Sequence, residues 1–204
     1  MPQNAFFEIG RLGVMQFKHV LRLLCAVFSC LPGALPVKAA AIAGAEFPDR
    51  IVVEGRPLIL NGLGVRSYLG FKIYAAALYL VEKSPDEAQI IASPSVRVLK
   101  MHYFVDVDQD DARAAWERSF AELCPMPCKF SEEIQQFTRY VSAIKAQDTE
   151  TYIFSPDGLE AMLKPGQPAV KIAGREFSEL VLATWIGRDP PTEDLKQGLL
   201  GKLK

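Results

Sequence analysis

The residues best suited to chemistry lie in Asn61–Leu80, NGLGVRSYLGFKIYAAALYL. Arg66 follows Gly62-x-Gly64, read as a turn, and Lys72 is the only other charge in the segment. A guanidinium presents forked donors that match a carboxylate, and its fixed charge also favours a phenolate. The run Ala75-Ala76-Ala77 lies on the strand that follows. Small side chains leave room above a sheet, so a cavity beside a cation is one reading. Alanines equally serve to receive a close-packed helix, and an arginine near a turn can be a plain exposed residue. On an unbroken strand Arg66, Lys72 and Tyr74 share one face and Tyr79 takes the other.

Other chemistries fit the sequence poorly. Asn61-Gly62-x-Gly64-x-Arg66 lacks the third glycine of a dinucleotide fingerprint, and a strand follows where a helix should. His102 sits mid-strand without the context of a hydrolase triad. Asp106, Asp108, Asp110 and Asp111 lack the glycine and distal glutamate of a calcium loop, and an acidic helix start explains them better. Cys124 and Cys128, in Cys-Pro-Met-Pro-Cys, are two ligands short of a zinc site and spaced wider than a redox pair. A local disulfide is favoured over two free thiols. No metal and no cofactor is expected.

These residues need a scaffold. Ile51-Val52-Val53 and Leu58-Ile59-Leu60 flank Glu54-Gly55-Arg56-Pro57 and predict a hairpin. Residues 71–81 and 96–105 read as strands. Ser84 is expected to cap a short helix with Pro85 in its first turn. Asp108 should open a helix to about Leu123, whose apolar face carries Ala112, Ala115, Trp116 and Phe120. A second helix is expected from Ser131 to Ile144. Strands at 150–154, 159–163 and 168–172 form a meander, and helices at 176–186 and 191–200 end before Gly187 and Gly201. Strands and helices that come in blocks favour α+β with an antiparallel sheet.

The chain has 204 residues and a formal net charge of −1, enough for one ordinary domain. No basic surface is concentrated enough to suggest nucleic acid. Lys18, His19 and Arg22 precede the apolar run Leu23–Leu35, which ends in Val37-Lys38-Ala39-Ala40-Ala41. That is the plan of a secretory signal peptide over residues 1–39, cut after Ala39 or, second, after Ala41. Met15 fits as the start. An uncleaved anchor is the alternative, although Pro32 and Gly33 interrupt the run. Cleavage would leave 19 basic and 23 acidic residues, a net charge of −4, in an exported, periplasmic chain without a membrane span. It would also remove Cys25 and Cys30.

The segment NGLGVRSYLGFKIYAAALYL resembles the chalcone isomerase family, in particular its bacterial chalcone isomerase-like members. The similarity continues through VRVLKMHYFVDVDQDDARAAWERSF and KIAGREFSELVLATWIGRDPPTEDLKQGLLG, about residues 50–203. It implies an α+β fold for residues 40–204: an open-faced β-sandwich, an antiparallel sheet with helices packed on one face. In the family's enzymes a guanidinium favours the phenolate that closes a ring onto an enone, with no cofactor and no covalent intermediate. Other members bind fatty acids through the same arginine. Arg66 matches that arginine, and Thr184 matches a Ser/Thr of the cleft beside Trp185 at the specificity position. Tyr74 stands where the enzymes carry threonine, Ala112 where they carry the catalytic tyrosine, and Ser119 where they carry asparagine. Tyr74 or Tyr103 would have to supply the missing hydroxyl. The implied function is binding of a fatty acid or similar amphiphile by Arg66, Tyr74, Thr184 and Trp185. The alternative is an intramolecular lyase acting on a phenolic enone, with Arg66 catalytic.

Overall fold

The computed structural model describes residues 39–203; the expected leader, apart from Ala39, and Met15, Cys25 and Cys30 lie outside the described residues. The first hairpin forms where alternation and turn chemistry agree. β3 (Arg50–Val53) and β4 (Arg56–Tyr68) pair antiparallel around Glu54 and Gly55, both at positive φ. β4 then turns at Leu69–Gly70 into β5 (Phe71–Leu80).

The chain continues through α1 (Glu87–Ile91), β6 (Arg97–Tyr103), α2 (Gln109–Leu123) and α3 (Ser131–Thr138). β7 (Thr149–Ser155), β8 (Gly158–Met162) and β9 (Val170–Ala173) form the expected meander, followed by α4 (Arg175–Ile186) and α5 (Glu193–Leu199). β3 to β9 lie side by side in chain order as a seven-stranded antiparallel sheet, curled into a half-barrel that carries the helices. A separate hairpin, β1 (Ala39–Ile42) with β2 (Ala45–Pro48), was not anticipated. It turns at Ala43–Gly44, a pair without the usual turn chemistry.

The sheet divides the core in two. Tyr74, Ala76 and Leu78 of β5 pack with the helices, along with Leu99, Tyr152, Phe177, Leu182 and Trp185. Ala75, Ala77 and Tyr79 face the other way and pack with Ala45, Phe47, Leu58 and Val98. The alternation of β5 is thus real, but both of its faces are covered.

Several expectations need correction. Gly62 and Gly64 are not a turn; they lie inside β4, where α5 presses on the sheet. A Cβ at Gly62 would stand 2.1 Å from the Gly198 carbonyl oxygen, and one at Gly64 2.5 Å from that of Leu195. The glycines are there for close approach. The strand assumed to run unbroken from Arg66 to Tyr74 is two strands joined by a turn. α1 is capped by Asp86, which accepts from the Gln89 amide at 3.1 Å, while Ser84 accepts from the Asp86 amide at 3.2 Å. α3 stops at Thr138 rather than Ile144, because Ile144 is drawn into a backbone bridge with Val107.

Candidate functional site

Strand register builds the site. Arg66 of β4 is paired with Tyr74 of β5, and Tyr74 is paired with Tyr103 of β6. Cross-strand partners point to the same face, so a cation and two phenols form one row across three strands. The Arg66 guanidinium carbon lies 6.0 Å from the Tyr74 ring centre, and the two tyrosine rings are 5.5 Å apart. Among the described residues no carboxylate is ion-paired with Arg66.

That row forms one wall of a cleft of about 430 Å³ between the sheet and the helices. α2 supplies the facing wall with Ala112, Ala115, Trp116 and Ser119, and α4 closes one end with Thr184 and Trp185. Ile73, Met101, Val105, Val107 and Ile144 make the lining apolar below the arginine. All of Arg66, Tyr74, Thr184 and Trp185 line this one space. Lys72 does not: it is exposed, because the register slips between Arg66 and Ser67. Ala75, Ala76 and Ala77 also lie away from the cleft, in the packed cores. Another hollow, over Glu132, Gln135, Gln136, Arg139 and Tyr140, is bounded by α3 and the turn after it and has no apolar wall opposite.

The polar groups have defined roles. Burial pushes the Tyr74 phenol up to about 12, against the pull of Arg66, so it stays a neutral donor across the working pH range. Thr184 donates to the Val181 carbonyl at 2.8 Å, which leaves its hydroxyl as an acceptor towards the cleft. Trp185 is buried, with its ring 4.9 Å from Tyr152 and 5.2 Å from Trp116. It forms the floor of the cleft rather than its mouth.

Behind Tyr103 lies a group that the sequence reading missed. Glu150 of β7 is buried and accepts hydrogen bonds from the Tyr103 hydroxyl at 2.9 Å and the Tyr152 hydroxyl at 2.7 Å. Burial raises its carboxyl to about 7; the two phenol bonds oppose the shift, and nearby Asp148 adds slightly to it. The two phenols are held well above their ordinary range, first by burial and then by Glu150. A signal was available: Glu150, Tyr152 and Phe154 share one face of a strand, and a lone carboxylate on an aromatic face needs partners.

The Asp cluster divides. Asp106 accepts from the Lys145 ammonium and the Ala146 amide, each at 2.8 Å, and Asp110 and Asp111 lie in the first turn of α2. Among the described residues no group of acids, cysteines and histidines is arranged to hold a metal ion. Cys124 and Cys128 are joined as a disulfide, with Cα atoms 5.3 Å apart.

The curled antiparallel sheet and its helical layer, with a cleft between them, define the class of fold. The chalcone isomerase-like family model matches residues 39–201, and the chain belongs to that family. Among solved structures, a fatty-acid binding protein of Arabidopsis thaliana shares the fold with a TM-score of 0.63. The likeness spans 80% of this chain and 96% of that one at 14% identity. No curated protein matches by sequence.

Proposed function

We propose that this chain is an exported, non-catalytic binder of a fatty acid or similar amphiphile, with Arg66 as the anion anchor. The observation that carries the proposal is the half-buried Arg66, without an ion-pair partner among the described residues, at the rim of an apolar cleft. A carboxylate beside it gains a charge-assisted bond, and the neutral Tyr74 phenol adds a second donor. The chain of the ligand runs along Ile73, Met101 and Ile144 towards Trp185. Each methylene removed from water adds about 0.8 kcal/mol, and 430 Å³ lies within the usual size range of ligand sites. The fatty-acid binding of the Arabidopsis relative supports the same choice of ligand. Export rests on the leader read at residues 1–39.

The ring-closing reaction is less well supported. Ala112 and Ser119 face the cleft where the enzymes carry tyrosine and asparagine. The Tyr103 hydroxyl, which would have to stand in, is already committed as a hydrogen-bond donor to Glu150.

The test is titration of the purified protein with a fluorescent fatty acid. Arg66→Ala should weaken binding by roughly 10- to 100-fold, the worth of a hydrogen bond to a charged group, with unchanged circular dichroism. Equal affinity in both proteins removes the anchor role. Cyclisation of a chalcone above the spontaneous rate, lost in Arg66→Ala, would favour the isomerase reading.

A further inference from the structure

We propose that the tip of the β4–β5 hairpin, Tyr68-Leu69-Gly70-Phe71, is a docking knuckle that seats on an anionic lipid bilayer and holds the cleft mouth against it. Residues 67–72 are all exposed, and within them Tyr68 is 62%, Leu69 80% and Phe71 70% accessible. A cluster of large apolar side chains at the end of a projecting hairpin has no folding role, because none of them packs in either core.

The turn itself points the same way. Tyr68 pairs with Phe71, so Leu69 and Gly70 form a two-residue loop, and both have positive φ, at 49° and 83°. This geometry favours asparagine before glycine. Leucine in the left-handed region is strained, and here its side chain is also mostly in solvent. Neither turn preference nor burial accounts for it, whereas insertion into a lipid interface uses it.

Charge identifies the partner. From Gly55 to Val81 there is no acidic residue, while Arg56, Arg66 and Lys72 are basic. Lys72 and Arg66 flank the apolar tip, the arrangement that binds an interface carrying negative headgroups. The opposite rim differs: Asp106 and Asp111 line it, together with Arg118, and Asp106 is paired with Lys145. Docking is therefore by the hairpin edge and not by the whole rim.

Position supplies the reason for docking. Tyr68 and Arg66 line the cleft as well as belonging to the hairpin end. An amphiphile leaving a bilayer at this knuckle meets Arg66 first and then the apolar wall. This route rests on the reading of the cleft as an amphiphile site; the docking itself does not.

The experiment is co-sedimentation with vesicles of phosphatidylglycerol and phosphatidylcholine, compared with phosphatidylcholine alone. The mature protein should pellet with the mixed vesicles and much less with the neutral ones. The double variant Leu69→Asn with Phe71→Thr should bind the mixed vesicles at least about tenfold more weakly. Leu69→Asn also suits the turn, so melting temperature should hold or rise, and poor folding would not explain the loss. Affinity for monomeric fatty acid in solution should be unchanged in this variant, while transfer from vesicles slows. Arg66→Ala should lose solution affinity, with vesicle binding reduced only by the loss of one of the two flanking charges while the apolar tip still inserts. A wild type that binds vesicles but no fatty acid would sink the ligand reading and leave the docking intact. Absence of vesicle binding, or equal binding by the double variant, overturns the docking. So does a self-association in light scattering that Leu69→Asn abolishes while vesicles stay unbound, because the tip would then meet a second copy.

Discussion

Glu150 shows how far a strand pattern can and cannot be read. Its carboxyl sits near 7 against an ordinary 4.5, mainly through burial. Between those values the folded chain holds a proton that the unfolded chain has lost. The associated stability is therefore fully present below about pH 4.5 and lost as pH rises through about 7. The shift corresponds to about 3 kcal/mol. Unfolding free energies from urea titrations at pH 5 and pH 8 should differ by that order in wild type, after allowance for other groups. They should differ much less in Glu150→Gln, which keeps an acceptor for Tyr103 and Tyr152 but does not titrate; equal pH dependence in both proteins would count against the assignment. Arg66 stood out in the sequence because only Lys72 shares its charge in that segment, and the structure sets it on the cleft wall. Glu150 was missed despite the local signal of Tyr152 on its own strand face, because its other partner, Tyr103, lies 47 residues away and only tertiary pairing brings it in.

Most elements were legible from turn chemistry and periodicity, and the errors came from tertiary contacts. Gly62-x-Gly64 looks like a turn in isolation and is a seat for α5 once the C-terminal helix is in place. α3 has helical periodicity to Ile144, but the bridge to Val107 redirects the chain after Thr138. Of the two readings open for the alanine run, cavity or packing surface, the structure shows packing. The packing reading has a direct consequence. Gly64→Ala drives a methyl into the Leu195 carbonyl, backbone against backbone, with no flexible side chain to yield. It should cost about 3 kcal/mol, an overpacking effect, visible as a lower denaturant midpoint. A variant as stable as wild type would mean that α5 is free to lift away.

Seven strands pair with sequence neighbours, and the helices fill one face. The C-terminal segment is the exception. Asn61 in β4 donates to the Leu199 carbonyl at 2.8 Å and accepts from the Ser84 amide at 2.9 Å. Lys196, itself buried, reaches the Gly187 carbonyl at 2.8 Å and Glu87 at 2.6 Å. One helix thus joins β4, α1 and the end of α4.

That helix also sets the bearing of the proposed anchor, Arg66. α5 grips β4 at Asn61, Gly62 and Gly64, two residues short of Arg66. Any lifting of the tail frees the strand that aims the guanidinium, so under the proposed ligand reading occupancy of the cleft and closure of the tail are thermodynamically linked. Saturation with a fatty acid should slow deuterium uptake at the amides of Leu199, Leu200 and Gly201, none of which borders the cleft. Unaltered uptake there, with full occupancy, would show that the carboxyl terminus breathes independently of the cargo.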